Sequence, residues 1–496
     1  MTKKIILIAL FFTVSHFIVA QKTGKDQRLI QFIDKIQKEL EVAPAISVAV
    51  VSPIQNFAYT TGYANLETKQ KATTSTGFYI ASTTKAFVGL LASILEYEGK
   101  INLQKPIIEY KPFSNFKEKA KFEGLTIDDL LSHQIGVDNE YLSSRLAYTG
   151  QYSEEELLRI TDKESEKLEN GKQFMYSNYG YYLFSMILKA ELGKTWQDLL
   201  QEKIFAPLEM KNTSAKVSDF DKKSLAEPHH NTFGKNVQTS DFFKIDETMH
   251  AAGGIITSAE DMANFLSFLL GDGNFEGKTI YPKAVLEKNK EKLVSAVHEG
   301  NKIFEGTEYA RGWHIGNFEG KKVVYHFGGY HGFASHLSFL ENEKIGVSIQ
   351  INHSLGLNVA NMIAKYAYYL NLGDEKAAKK LEKQGLKSLQ KRLKRYNKSE
   401  VKYAEKLAKR EWMLSLSKEQ YIGTYKSENI GTVKVSYQDN ELLFTIGNVK
   451  TIATAYELED CMRIQLSPGN GIVIRFQIEN GKPVSFSFGE DIFEKI

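Results

Sequence analysis

"ASTTKAFVGLLASILEYEG" (residues 81–99) opens with Ser82 and Lys85 three positions apart, then runs apolar at helical spacing, with no breaker, to Gly99. The spacing predicts a helix over 83–98, with Ser82 at its start and Lys85 one turn further along the same face. Such a pair is either a helix cap with a solvated charge or a nucleophile with its base. Serine is a weak nucleophile until a neighbour takes its proton. An ammonium cannot take it, so the lysine must be held neutral by burial or work through a second base. A helix N-terminus adds free backbone N–H groups and a positive dipole end, both of which favour developing negative charge. A four-residue match does not decide between the two readings.

Outward from this helix, "AISVAVVSPIQNFAYTTGY" (45–63) reads as two strands with a turn near Ser52–Gln55. Residues 104–250 read as mainly helical, with a capping box of Ser153 and Glu156. "AAGGIITSAEDMANFLSFLL" (251–270) gives a glycine-rich turn, a second box of Thr257 with Glu260, and an amphipathic helix. "VVYHFGG", "FASHLSFL" and "IGVSIQIN" then read as strands, and "LNVANMIAKYAYYL" as a helix. The order predicts an α/β (α+β) domain over 27–370: an antiparallel sheet completed by both chain ends and flanked by helices, plus a mainly helical subdomain. Residues 374–410 hold 14 Lys or Arg against 5 Asp or Glu, and 371–417 reads as a charged helical linker, with contact to an anionic envelope surface as the sharper alternative. From 418 to 496 runs such as "GTVKVSY" and "GIVIRFQI" alternate with period two between turn signals, which predicts a small all-β, barrel-like domain. The domain over 27–370 is expected to fold without it.

At 496 residues the chain is too long for one core, and its net charge of +3 gives no reason to invoke nucleic acid. Residues 1–20, "MTKKIILIALFFTVSHFIVA", carry Lys3 and Lys4, an apolar run and a terminal Ala20, the pattern of a secretory signal peptide. The single Cys461 excludes an intrachain disulfide and a multi-cysteine zinc site. Export to a bacterial periplasm or the exterior is expected.

Two further stretches bear on chemistry. In "MYSNYG", Tyr176 can relay a proton beside a Ser–Lys pair and Asn178 can hold the lysine or a substrate amide; the plainer reading is an aromatic anchor with Asn178 as a helix cap. In "YHFGGYHGF", His326 is placed at the edge of a strand, and Gly328 and Gly329 let a ligand approach the backbone. An N–H of this strand can complete an oxyanion hole with that of Ser82. The plainer reading is a tight hairpin with an exposed histidine.

In this order, "STTK", "YSN" and "HFG" resemble the S-x-x-K, Y-x-N and Lys/His-x-Gly motifs of the serine β-lactamase and penicillin-binding-protein superfamily, in particular its class C β-lactamase-like group. Supporting stretches such as "LTIDDLLSHQIGV", "AAGGIITSAEDMANF" and "ARGW" extend the resemblance over about 30–370, and the C-terminal part is similar to the lipocalin-like β-domain often appended to this group. The resemblance implies acylation of Ser82, proton transfer shared by Lys85 and Tyr176, substrate contacts by Asn178, His326, Gly328 and Gly329, an oxyanion hole from the N–H groups of Ser82 and Gly329, and no metal or cofactor. His326 stands where β-lactamases carry lysine, a mostly neutral group in place of a permanent cation, which argues against efficient β-lactam hydrolysis. His133 matches a position read as structural. The implied activity is hydrolysis of small amides, esters or peptides, with D-amino-acid peptides leading; a carboxylesterase and a non-catalytic binder of cell-wall peptides are the alternatives. The pocket walls fall to loops 141–152, 215–250 and 298–310, which carry no motif. If the leader reading is right, mass spectrometry of the exported protein will find a chain that begins near Gln21; retention of Met1 would overturn it.

Overall fold

The computed structural model describes residues 24–496 apart from 41–43, 170, 232–236, 297–302 and 468–469; the expected signal segment lies outside the described residues. Helix α1 (Gly24–Leu40) is followed by β1 (Ala45–Ser52), β2 (Gln55–Asn65) and the short β3 (Gln70–Lys71). Helix α2 (Thr84–Tyr97) comes next, entered through a 3-10 turn at Ala81–Thr83. Later come α3 (Tyr179–Leu192) and α4 (Ala259–Leu270). The chain then returns to the sheet as β4 (Val294–Ser295), β5 (Glu305–Tyr309), β6 (His314–Phe318), β7 (Lys321–Tyr330), β8 (Phe333–Leu340) and β9 (Ile345–Ile351). The nine strands are ordered β4-β5-β6-β7-β8-β9-β1-β2-β3, and their pairings are antiparallel. The β1–β9 pairing, Ile46 against Ile351, joins the two ends of the domain as the sequence led us to expect.

Strand β1 is buried from Ala45 to Val51 because both faces are covered. Ile46, Val48 and Val50 pack with α1 and α5 (Leu357–Leu372), while Ala49 and Val51 point into the core built around α2 and α4. The helical subdomain is joined to this second core by Asp128, which pairs with the buried Arg311 through Nε at 2.6 Å and Nη2 at 2.5 Å. In "IDD", then, Asp128 is a structural counter-ion, and Asp129 closes a capping box with Thr126. The Ser153–Glu156 box is present. The box expected at Thr257–Glu260 is shifted by one residue: Thr257 is held in a two-residue strand against Phe78, and Ser258 caps α4 by accepting from the Asp261 N–H.

The basic stretch is one continuous helix, α6 (Glu375–Ala408). It is more than a solvated linker, because Ala378, Leu386 and Leu389 are buried with α1 and α5. Beyond it, β10 (Gly423–Ser427), β11 (Gly431–Gln438), β12 (Glu441–Ile446), β13 (Val449–Ile452), β14 (Thr454–Ala455), β15 (Cys461–Ser467), β16 (Asn470–Glu479), β17 (Lys482–Phe488) and β18 (Asp491–Lys495) form a second nine-stranded sheet. Its terminal strands β13 and β14 are consecutive in the chain, so the sheet nearly closes into a barrel around Tyr425, Phe444, Phe476 and Phe486.

The barrel docks through polar groups. The buried Arg145 donates to the carbonyls of Asn429 (2.6 Å), Glu428 (3.0 Å) and Gln151 (2.7 Å). Gln151 exchanges two hydrogen bonds with the Thr432 backbone, and the Asn448 N–H donates to the Thr149 carbonyl at 2.9 Å. A chain of residues 21–410 keeps α6 on its core but strips Arg145 of two acceptors. Hydrogen bonds to charged groups contribute about 1.5–3 kcal/mol each. We expect this chain to unfold in one cooperative transition at a lower temperature than the full protein. Loss of cooperativity would show that the barrel is part of the same folding unit.

Candidate active site

Ser82 sits in the 3-10 turn between β7 and α2. The preceding Ala81 has φ of +47°, a left-handed conformation that costs an L-residue energy and is held here by its surroundings. Those surroundings are specific. The Ile80 N–H donates to the Ile255 carbonyl (3.0 Å), the Ser335 hydroxyl donates to the Ile80 carbonyl (2.6 Å), and Thr83 Oγ1 lies 2.8 Å from Ser335 Oγ. Gly328 makes this docking possible, because a Cβ there would stand 2.0 Å from the Ile80 carbonyl oxygen. Gly329, by contrast, is exposed, and an added Cβ would meet nothing within 4 Å.

Lys85 is fully buried in the first turn of α2, one turn on from Ser82. Its Nζ is 3.2 Å from Ser82 Oγ, 2.7 Å from Asn178 Oδ1 and 2.8 Å from the Ala252 carbonyl. Burial holds its pKa well below that of a free lysine. Asn178 stands at the N-cap of α3 but makes no side-chain cap; its amide oxygen is spent on Lys85 instead. Tyr176 is 43% exposed, with one side of its ring against His133 at 4.4 Å between centroids. Its ring lies beside the Lys85 ammonium, with Nζ 4.9 Å from the centroid. Its phenol pKa is raised by loss of solvent, against which a hydrogen bond with Ser82 acts.

His326 is not exposed. It is buried in β7, paired with Leu337 of β8 just beyond the point where the β6 pairing ends at Tyr325, and its ring is covered by Tyr309, His314 and Tyr176. Both ring nitrogens have protein partners: Nδ1 is 2.8 Å from the Phe327 carbonyl and Nε2 is 3.2 Å from Tyr309 Oη. Tyr309 Oη in turn is 3.0 Å from His133 Nε2, and His133 Nδ1 accepts the Ser177 N–H at 3.2 Å. One assignment of protons satisfies the chain. His133 Nδ1 is an acceptor, so Nε2–H donates to Tyr309. Tyr309 then donates to His326 Nε2, and His326 Nδ1–H donates to the Phe327 carbonyl. Burial, joined by the nearby Lys85 and His314, keeps both imidazoles well below their ordinary pKa of 6.5. In the unfolded chain they regain that value. The stability they carry is present above pH 6.5 and is lost as pH falls below it.

The beta-lactamase family model matches residues 32–367. The chain belongs to that family. Protein flp of Staphylococcus aureus strain MW2 is 25% identical over 291 residues, which cover 59% of this chain and 56% of the relative, so the match spans little more than half of that protein. Among solved structures, the D-amino acid amidase of Ochrobactrum anthropi SV3 with L-phenylalanine amide superposes with a TM-score of 0.61 at 22% identity, over 71% of this chain and 99% of the amidase. The octameric penicillin-binding protein homologue of Pyrococcus abyssi superposes with a TM-score of 0.59 at 22% identity, over 95% of this chain and 99% of that one. The fold of this beta-lactamase family member is therefore shared with both.

The structure brings Ser82, Lys85, Tyr176 and Asn178 together, with the His326 ring 6.1 Å from that of Tyr176. Gly328 packs on Ile80 beside Ser82, and Gly329 is exposed. Two partners escaped the sequence reading. The Ala252 carbonyl has no side-chain signature, and Tyr309 reads as an ordinary core aromatic of β5; only the neighbouring "ARGW" hinted at it. If Tyr309 links the two imidazoles, Tyr309→Phe will shift the imidazole ¹⁵N resonances of His133 and His326 together while the protein stays folded. A purely space-filling Tyr309 would leave both unmoved.

Proposed function

We propose that the chain is an exported serine hydrolase that opens amide bonds through an acyl-enzyme on Ser82, with amides and peptides of D-amino acids as its substrates. The observation that carries this reading is the hydrogen-bond set of Lys85. A neutral amine has two N–H donors and one lone pair. The oxygens of Asn178 and Ala252, at 2.7 and 2.8 Å, take the donors, and the lone pair is left facing Ser82 Oγ at 3.2 Å. Once Lys85 has taken the serine proton, the ammonium has three donors and the same three oxygens. Both protonation states are satisfied without rearrangement, as a group that must cycle between them requires.

In the first step Ser82 Oγ bonds to the substrate carbonyl carbon as its proton passes to Lys85. The carbonyl oxygen gains the negative charge, beside the N–H groups of Ser82 and Gly329. Tyr176, a neutral phenol because its pKa is raised, gives its proton to the leaving nitrogen as the C–N bond breaks and is resupplied from Lys85. Water then cleaves the ester by the reverse sequence, and the acid leaves. Likeness to a D-amino acid amidase supports the substrate class. The Lys-flanked apolar leader supports export.

Lys244 Nζ donates to the carbonyls of Ala147 (2.6 Å) and Thr248 (3.2 Å) beneath the ring of Tyr330 (4.0 Å), tying loops 141–152 and 215–250 to the end of β7.

Ser82→Ala should abolish covalent labelling by a fluorophosphonate and turnover of D-aminoacyl amides. Tyr176→Phe should slow acylation by about 10²–10⁴-fold with little change in melting temperature, since the ring is partly exposed. The acylation rate should rise with pH through the lowered pKa of Lys85, a limb lost in Lys85→Met. Near-normal turnover in Tyr176→Phe would leave the phenol a packing role alone.

A further inference from the structure

The packed face of α6 and its basic residues are segregated. Lysines recur every three or four residues from Lys376 through Lys383, Lys391 and Lys398 to Lys402, and all are exposed. At 3.6 residues per turn they form one row about 40 Å long, opposite the face that buries Ala378, Leu386 and Leu389. The acids do not neutralise it. Asp374 caps the helix, and Glu375 and Glu382 turn inward to Arg28 of α1. Among the described residues no lysine of the row is in an ion pair; Glu405 alone of the acids falls along it.

Like charges at i and i+4 destabilise a helix, and solvated helices ordinarily mix the two signs. A row of one sign therefore requires counter-charge from outside. The shape of the surface narrows the source. Tyr396 and Tyr403 fall on the other side of the helix, so the row lacks the interleaved aromatic rings on which a single-stranded nucleic acid stacks. The row runs along one exposed face of the helix, which fits a plane rather than an enclosed strand. Among the described residues no helix is long and apolar enough to cross a membrane.

We propose that the lysine row of α6 seats the protein on an anionic phospholipid bilayer. Seated this way, α5 and α1 lie next above the lipid, then the sheet, then α2, and the cleft at Ser82 faces away from the membrane. The inference stands independently of the reaction assigned to Ser82.

The test compares the full chain with a variant carrying Lys383→Gln, Lys387→Gln, Lys391→Gln, Lys394→Gln and Lys398→Gln in co-sedimentation with vesicles. Phosphatidylcholine vesicles are compared with vesicles that also contain phosphatidylglycerol. At low ionic strength the wild type should bind the anionic vesicles at least about tenfold more tightly than the variant, and the difference should vanish at about 1 M salt, where screening acts within about 3 Å. Fluorophosphonate labelling of the variant should be unchanged, which also reports that it is folded. Equal binding by the two proteins, or binding insensitive to lipid charge, would overturn the proposal. So would capture by soluble polyphosphate without binding to vesicles, which would give the row a polymer partner instead.

Discussion

The removal of water from one amine organises this molecule. Lys85 cannot be buried as an unpaired cation, so three separate parts of the chain must deliver oxygens to it: the entry of α2, the N-terminus of α3 and the turn at Ala252. Each of these is fixed by something further out. The α2 entry is pressed against β7 at Gly328, α3 starts where Asn178 gives up its cap, and the Ala252 turn leads into the strand that pairs Ile256 with Tyr79. The burial that depresses the lysine pKa is thus a property of the whole domain, and so is the proton affinity of the amine beside Ser82.

The histidine that replaces a lysine in the third motif shows the same economy in another form. A lysine at position 326 would bring a second cation close to Lys85 and lower its pKa further. A neutral imidazole, fixed in one tautomer by Tyr309 and the Phe327 carbonyl, occupies the position without that repulsion.

Most of the architecture was legible because it rests on periodicity. The apolar run of β1, the breaker-free helix after "STTK" and the alternation beyond 418 each announced their element, and the three motifs announced their residues. What escaped did so for physical reasons. The packed face of α6 was hidden by its charge, although Ala378, Leu386 and Leu389 recur at helical spacing. Thr257 and Ser258 are both competent caps, and only pairing with Phe78 decides between them. The burial of His326 was hidden because an isolated strand does not reveal which side chains close over it; Tyr309, His314 and Tyr176, from three other stretches of the chain, do so here. A backbone carbonyl such as that of Ala252 leaves no trace in sequence.

The pairing of β1 with β9 has a bearing on how the protein is made. Ile46 waits for Ile351, and the turn that carries Ser82 waits for Gly328 and Ser335. A chain released from its N-terminus must hold its first strands and the Ser82 turn apart from their partners until nearly the last of the sheet has been synthesised, a closure over long sequence separations that is slow by nature. The cluster around Lys85 is accordingly assembled late. A nascent chain carries the sequence of the site without its geometry, which arrives only with the completion of the sheet.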